Sequence, residues 1–193
     1  MRKTQNQYFK ASSLIIAVAC GLVNFAWSQP VKTERKSLDQ PAEIQGYPCA
    51  KGYAWLYSDE SLNRCTLSRP AAFGEAQAPA GSIISLRSDG KPEYLMLAHD
   101  TSVAGYVCSG GGILGPAEGP VVAFYPSGKL KLCFLAGDQI VQGVPCMGSS
   151  FFRDVFGGGA GANFYESGKL RECKLSKDYG TLKRGEHFIQ KEK

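Results

Sequence analysis

A ten-residue pattern recurs four times in this chain and constrains its fold more than any other feature. Leu56–Cys65 reads LYSDESLNRC, Leu86–Leu95 reads LRSDGKPEYL, Phe124–Cys133 reads FYPSGKLKLC and Phe164–Cys173 reads FYESGKLREC. The copies align without a gap: two apolar or aromatic residues, a polar tight turn, then Leu-x-x-Cys-x-Leu. Asp89-Gly90, Ser127-Gly128 and Ser167-Gly168 put a turn-former before a glycine between two apolar runs. That order suits a hairpin whose glycine takes φ > 0, as in a type I turn closed by a G1 bulge. The first copy has Glu60 at the glycine position, so its turn is expected to differ. Beyond the turn, Cys65 alternates with Leu67, Leu95 with Leu97, Cys133 with Leu135 and Cys173 with Leu175. A period of two places both members on one buried strand face, with Thr66, Met96, Phe134 and Lys174 on the other.

A second element recurs ahead of the hairpins. Ile44-Gln45-Gly46-Tyr47-Pro48-Cys49 closely matches Val141-Gln142-Gly143-Val144-Pro145-Cys146 and loosely matches Val103-Ala104-Gly105-Tyr106-Val107-Cys108. The units therefore fall near 44–69, 82–108, 119–146 and 160–188, in one repeat domain spanning 44–188. Arg69 to Gly81 is rich in Ala, Pro and Gly, and the entry element is missing there. Ser109 to Pro120 is a Gly/Pro loop, and Met147 to Gly161 holds Phe151, Phe152 and Phe156 before a glycine run. All three read as surface excursions. No segment offers an amphipathic helix.

Residues 1–28 read as a secretory signal. Arg2, Lys3 and Lys10 precede the apolar run Ala11 to Ala26, and Ala26 and Ser28 provide a small-residue cleavage site, with the mature chain starting at Gln29. A rival reading is a lipoprotein signal with Cys20 as the acylated residue. Residues 29–43 are polar and read as a flexible leader, and 189–193 as a charged tail. The full chain carries a net charge of +5, but without the signal's three cations the balance is 19 basic against 17 acidic residues. Nothing resembles the clustered basic face of a nucleic-acid binder. No mature segment reads as a transmembrane helix.

Beyond Cys20, the cysteines are Cys49, Cys65, Cys108, Cys133, Cys146 and Cys173. An even number in an exported chain implies disulfides. Each entry cysteine precedes a hairpin with a cysteine on its second strand, which proposes Cys49–Cys65, Cys108–Cys133 and Cys146–Cys173. The second unit lacks both partners together, as a pair should. The alternative, Cys133–Cys146 facing across a turn near Asp138, leaves Cys173 without an equivalent partner.

Little in the sequence suggests chemistry. His99 and His187 have no second His, Cys or carboxylate at ligand spacing. Asp100 beside His99 aligns with Asp138 and Asp178 and reads as a turn residue. There is no Cys-x-x-Cys pair, no phosphate loop, and no cofactor or metal motif. Candidate binding residues are Lys91, Lys129 and Lys169, which follow the turn glycines and suit an anionic partner such as an acidic protein, a polysaccharide or a lipid head group. The cluster Phe151, Phe152 and Phe156 is a candidate apolar contact. Phe124-Tyr125 and Phe164-Tyr165 read as core and stacking residues between units.

Phe164 to Arg171 resembles the bacterial variant of the MORN repeat, and Phe124 to Lys131 matches it as well. Gly105 and Gly143 lie where such arrays open the next unit. The resemblance covers about Ile44 to Leu175 in outline; paired cysteines, long loops and two degenerate units depart from the family. It implies an all-β fold of antiparallel hairpins in an elongated twisted sheet, to which the cysteine count adds disulfide staples. It also implies a scaffolding, partner-binding or membrane-associating role. The expected function is a non-catalytic binding or structural module, periplasmic, envelope-associated or extracellular. An envelope hydrolase with an unrecognised site and an immunity partner of a secreted toxin are the alternatives.

Overall fold

A computed structural model describes residues 32–111, 121–149 and 161–192. The described residues hold seventeen β-strands and no helix, so none is long and apolar enough to cross a membrane as a helix. The four repeats are four antiparallel hairpins of one long sheet. They are β3–β4 (Tyr47–Tyr57, Leu62–Leu67), β7–β8 (Ile83–Leu86, Pro92–Met96), β11–β12 (Val121–Phe124, Leu130–Phe134) and β15–β16 (Gly161–Phe164, Leu170–Lys174). Their order in the sheet is their order in the chain, flanked by β1 (Thr33–Leu38) at one edge and β17 (His187–Ile189) at the other. The two edges do not pair, so the sheet is open.

The turns repeat bond for bond. The Tyr125 amide donates to the Lys129 carbonyl at 2.8 Å and the Gly128 amide to the Tyr125 carbonyl at 2.8 Å. Arg87, Gly90 and Lys91 make the same pair of bonds, as do Tyr165, Gly168 and Lys169. The turn glycines take φ of +76° to +83°. Contrary to expectation, the first turn does not differ. Tyr57 donates to the Ser61 carbonyl and Glu60 to the Tyr57 carbonyl, and Glu60 takes φ +65°. A left-handed non-glycine residue costs about 1 kcal/mol or more. Local bonds offset that cost: the Asp59 carboxylate accepts from the Ser61 amide at 3.0 Å and its hydroxyl at 2.6 Å.

Alternation buries one face. Leu62, Leu130 and Leu170 lie in it with Leu67, Leu97, Leu135 and Leu175, Phe124 and Phe164, and the six cysteines. Four short hairpins contribute Phe73, Ala76, Ala78, Val103, Val141 and Val144 to the same core. These hairpins are β2 (Ala42–Ile44) with the start of β3, β5–β6 (Ala71–Phe73, Ala76–Ala78), β9–β10 (Thr101–Val103, Tyr106–Cys108) and β13–β14 (Gln139–Val141, Val144–Cys146). The recurring entry element is therefore a hairpin of its own. Gln45-Gly46, Ala104-Gly105 and Gln142-Gly143 have positive φ at both turn positions, as a type I′ turn requires. The region from Arg69 to Gly81 is not an excursion, since β5–β6 is the missing copy. Its turn is Gly74-Glu75, positive in φ only at the glycine, which is the type II′ pattern. The glycine has moved one place and Ala78 stands where the other copies have cysteine, so the Gly-x-x-Cys signature disappears while the hairpin remains.

Three disulfides fix the short hairpins to the long ones: Cys49–Cys65, Cys108–Cys133 and Cys146–Cys173, with Cα separations of 5.7, 5.5 and 5.7 Å. The alternative Cys133–Cys146 bond is not formed. A polar bond repeats beside them. Gln45 accepts from the Leu62 amide, Glu75 from the Leu130 amide and Gln142 from the Leu170 amide, at 2.9, 2.9 and 3.0 Å. The equivalent residue of the second long hairpin is Pro92, which has no N–H to donate. The short hairpin left over has Ala104, which has no side-chain acceptor.

Neighbouring long hairpins are also tied. Tyr57, Arg87, Tyr125 and Tyr165 occupy one repeat position, and their side chains donate to the carbonyls of Leu86, Phe124, Phe164 and Gln190. Phe124 and Phe164 are core residues as expected. The tyrosines beside them are half-buried tethers between units instead of core. Asp100, Asp138 and Asp178 each accept a backbone N–H at 3.0, 3.0 and 2.9 Å, from Gly110, Gly148 and Arg184.

The leader also departs from expectation, because part of 29–43 is ordered. β1 pairs with β3 over six residues from Thr33↔Tyr57 to Leu38↔Gly52, and β2 follows it. The strand reads TERKSL and is exposed except at Leu38. An edge strand protected from aggregation by charge has no apolar pattern to recognise.

Candidate binding surface on the outer face of the long sheet

The face of the sheet away from the core carries one residue from each strand in register. Across the ten strands these are Arg35, Trp55, Arg64, Ser85, Tyr94, Ala123, Leu132, Asn163, Glu172 and Ile189. Cations and aromatics concentrate at the first two hairpins. The Arg35 guanidinium lies 4.3 Å from the centre of the Tyr53 ring. Arg64 lies between two aromatics, 5.6 Å from the Trp55 ring centre and 5.6 Å from that of Tyr94. It also donates from Nη2 to the Tyr94 hydroxyl. Two rings and one bond hold the guanidinium plane, and its other N–H groups have no hydrogen bond to a described residue. Asn63 donates to the Tyr57 hydroxyl at 2.8 Å, and burial, the largest influence, pushes the Tyr57 phenol above its ordinary pKa.

Two buried polar atoms here lack a partner. Ser85 is fully buried and its hydroxyl makes no hydrogen bond; the Arg87 Nε is likewise buried and unpaired. Register places Ser85 between Arg64 and Tyr94. No carboxylate of the described residues lies within ion-pair distance of Arg64 or Arg87. Glu93 is the nearby acid, close enough to act on Tyr57.

Of the lysines expected to form a basic edge, two come together. Lys91 and Lys129 line a cleft of about 490 Å³ with Glu75, between the tips of the second and third long hairpins. Lys91 is paired with Asp89 at 3.4 Å, and Asp89 in turn accepts the Lys91 amide, which holds its carboxyl below the usual range. Lys169 is exposed at its own tip and does not line that cleft. The fourth tip is instead tied to the short hairpin beside it, where Gln142 donates to the Gly168 carbonyl at 2.8 Å. Phe151, Phe152 and Phe156 lie outside the described residues.

The histidines stand apart. His99 is exposed, beside the Asp100 carbonyl and Thr101. His187 does meet a carboxylate: its Nδ1 is 2.9 Å from Glu172 across β16 and β17. That pair is exposed. No group of three or more His, Cys, Asp or Glu among the described residues is arranged to hold a metal.

Trp55, Arg64, Tyr94 and Ser85 were not legible as a site in the sequence. Arg64, Tyr94, Leu132 and Glu172 share one repeat position, and alignment of the units treats such a varying position as unconstrained surface. The usable signal was the alternation itself, which puts residues flanking a buried Cys or Leu on the other face. Compared with known proteins, the chain matches no family model, no curated protein and no solved structure.

Proposed function

We propose that the chain is an exported, non-catalytic binding or structural module of the bacterial envelope or its surroundings, built as a variant of the MORN-type hairpin array. The observation that supports this is the outer face of the long sheet. It carries half-exposed aromatic and cationic side chains in register, held by one another and without acidic partners among the described residues, on a scaffold fixed by three disulfides. A rigid, extended face of this kind suits contact with a partner, and each unit supplies part of it. Disulfides between cysteines of successive hairpins fit an oxidising compartment.

The test is production in an exporting bacterial host, followed by mass mapping and co-sedimentation with isolated envelope fractions. A chain starting at Gln29, or acylated at Cys20, with six oxidised cysteines and retention in the envelope pellet is expected. Retention in the cytoplasm with reduced cysteines overturns export. Release from every envelope fraction, combined with hydrolysis of envelope material, overturns the non-catalytic reading.

A further inference from the structure

The outer face of the first two long hairpins departs from the rest of the sheet in one respect. On the outer face of the last two long hairpins the charged side chains have partners: Lys131 lies over Tyr125, Arg171 over Tyr165, and Glu172 faces His187. At the first two, Ser85 Oγ and Arg87 Nε are buried and unpaired, and the Arg64 guanidinium lies beside two rings with a single hydrogen bond, to the Tyr94 hydroxyl. An unpaired buried polar group costs about 1–3 kcal/mol, so its retention calls for an explanation. Nearly all the unmet capacity is for donation: the spare guanidinium N–H groups, the Arg87 Nε–H and the Ser85 hydroxyl. The missing partner is therefore an acceptor, and a planar guanidinium fixed at its rim selects a carboxylate or phosphate held bidentate.

The surroundings narrow the class further. β3, β4, β7 and β8 are interior strands whose backbone groups are used by their neighbours, so an extended peptide would gain no main-chain bonds here. The four strands present a platform roughly 14 Å wide, flanked by the half-exposed rings of Trp55 and Tyr94. A ring compound with an acid group on its edge fits that platform. We propose that this face is a binding site for an acidic sugar, with Arg64 receiving the carboxylate of a uronic acid unit, Ser85 and Arg87 supplying adjacent donors, and Trp55 and Tyr94 bordering the sugar ring. The inference rests on the binding-module reading and names the ligand class of that module.

The chain has two tryptophans, Trp27 and Trp55; Trp55 is the only indole of a chain that starts at Gln29, and Trp27→Phe makes it the only one in a chain acylated at Cys20 as well. The exported protein in that background is titrated with trigalacturonic acid, its methyl ester, inorganic phosphate and a glutamate oligomer, following Trp55 emission. Saturable change with trigalacturonic acid is expected, at least about tenfold weaker with the ester. Arg64→Gln should weaken the acid by a similar factor and bring it level with the ester, while Arg64→Lys retains part of the affinity. The acid-against-ester comparison needs no substitution at the site and stands even if Arg64→Gln does not fold. Equal response to the ester, tighter response to phosphate or to the glutamate oligomer, or no saturable change each overturns the proposal. If Trp55 stays silent while the protein still pellets with envelope fractions, this site falls and the binding-module reading survives. If both measurements fail, the reading falls with it.

Discussion

Gly74 is where the hidden copy of the short hairpin meets the third long hairpin, and replacing it tests that placement. A Cβ added at Gly74 would stand 2.7 and 2.8 Å from two ring carbons of Phe124 and 2.8 Å from the Gly128 carbonyl oxygen. Phe124 is fully buried and cannot swing away. Relief requires the turn to lift, which stretches the Glu75 amide bond to Gly128, now 3.1 Å, and the Glu75 carboxylate bond to the Leu130 amide, now 2.9 Å. Overpacking of this kind costs about 1–3 kcal/mol. The positive φ of +58° adds about 1 kcal/mol for any residue with a Cβ. Weakening a charge-assisted hydrogen bond adds about 1 kcal/mol more. Gly74→Ala should therefore destabilise by about 3–5 kcal/mol. Gly143→Ala is the internal control. It has φ +86° but open space around the new Cβ, so only the backbone cost of about 1 kcal/mol applies. Urea unfolding with the disulfides intact, followed by tyrosine and Trp55 emission, gives both values from one protocol. A difference between the two variants below about 1 kcal/mol would refute the docking of β5–β6 on the third hairpin.

Glu60→Gly should stabilise the protein by about 1 kcal/mol in the same assay, because Glu60 alone holds a left-handed position that glycine fills in the other three turns. Replacing Cys108 and Cys133 together by Ala should cost about 3 kcal/mol, given the 25-residue separation and the loop-closure argument; thermal unfolding of the oxidised double variant measures it. At the acid end, Asp59, Asp89 and Asp178 are held below their ordinary pKa, chiefly by hydrogen bonds from Ser61, Lys91 and Arg184. Their depressed values mean that the stability they contribute is present above the ordinary carboxylate range and is lost as pH falls through their lowered pKa. Amide exchange at the tips of the first two hairpins and at Arg184 should accelerate below about pH 4, before the core strands respond.

The long hairpins were legible because two independent signals coincide in them. Glycine at the φ > 0 position marks the turn, and the Cys/Leu alternation marks the buried face. The disulfide pairing was legible because a unit that lost one cysteine lost both. What escaped did so for physical reasons. β1 is an edge strand, and its protection against further pairing is the absence of the apolar pattern by which strands are found. β5–β6 uses the mirror turn that puts glycine first, so a signature anchored on glycine slides past it. Glu60 was expected to change a turn that in fact tolerates it, because the turn's hydrogen bonds are backbone bonds and Asp59 holds the chain beside it. The outer-face site escaped because comparison of the units rewards what stays constant. Arg64 and Tyr94 are residues in which the first two units differ from the last two.

The mismatch at Pro92 and Ala104 sets where the array yields. In a row of units that each lean on their neighbours, strain travels along the sheet until it reaches the joint with the fewest fasteners. The first, third and fourth long hairpins each have a covalent staple and a side-chain bond to a short hairpin, while the second has neither. Stretching or partial unfolding should therefore begin in β7 and β8 and divide the molecule into a stapled first unit and a doubly stapled pair. A chain anchored at one end and loaded at the other would open there first and close again with all three disulfides still in register.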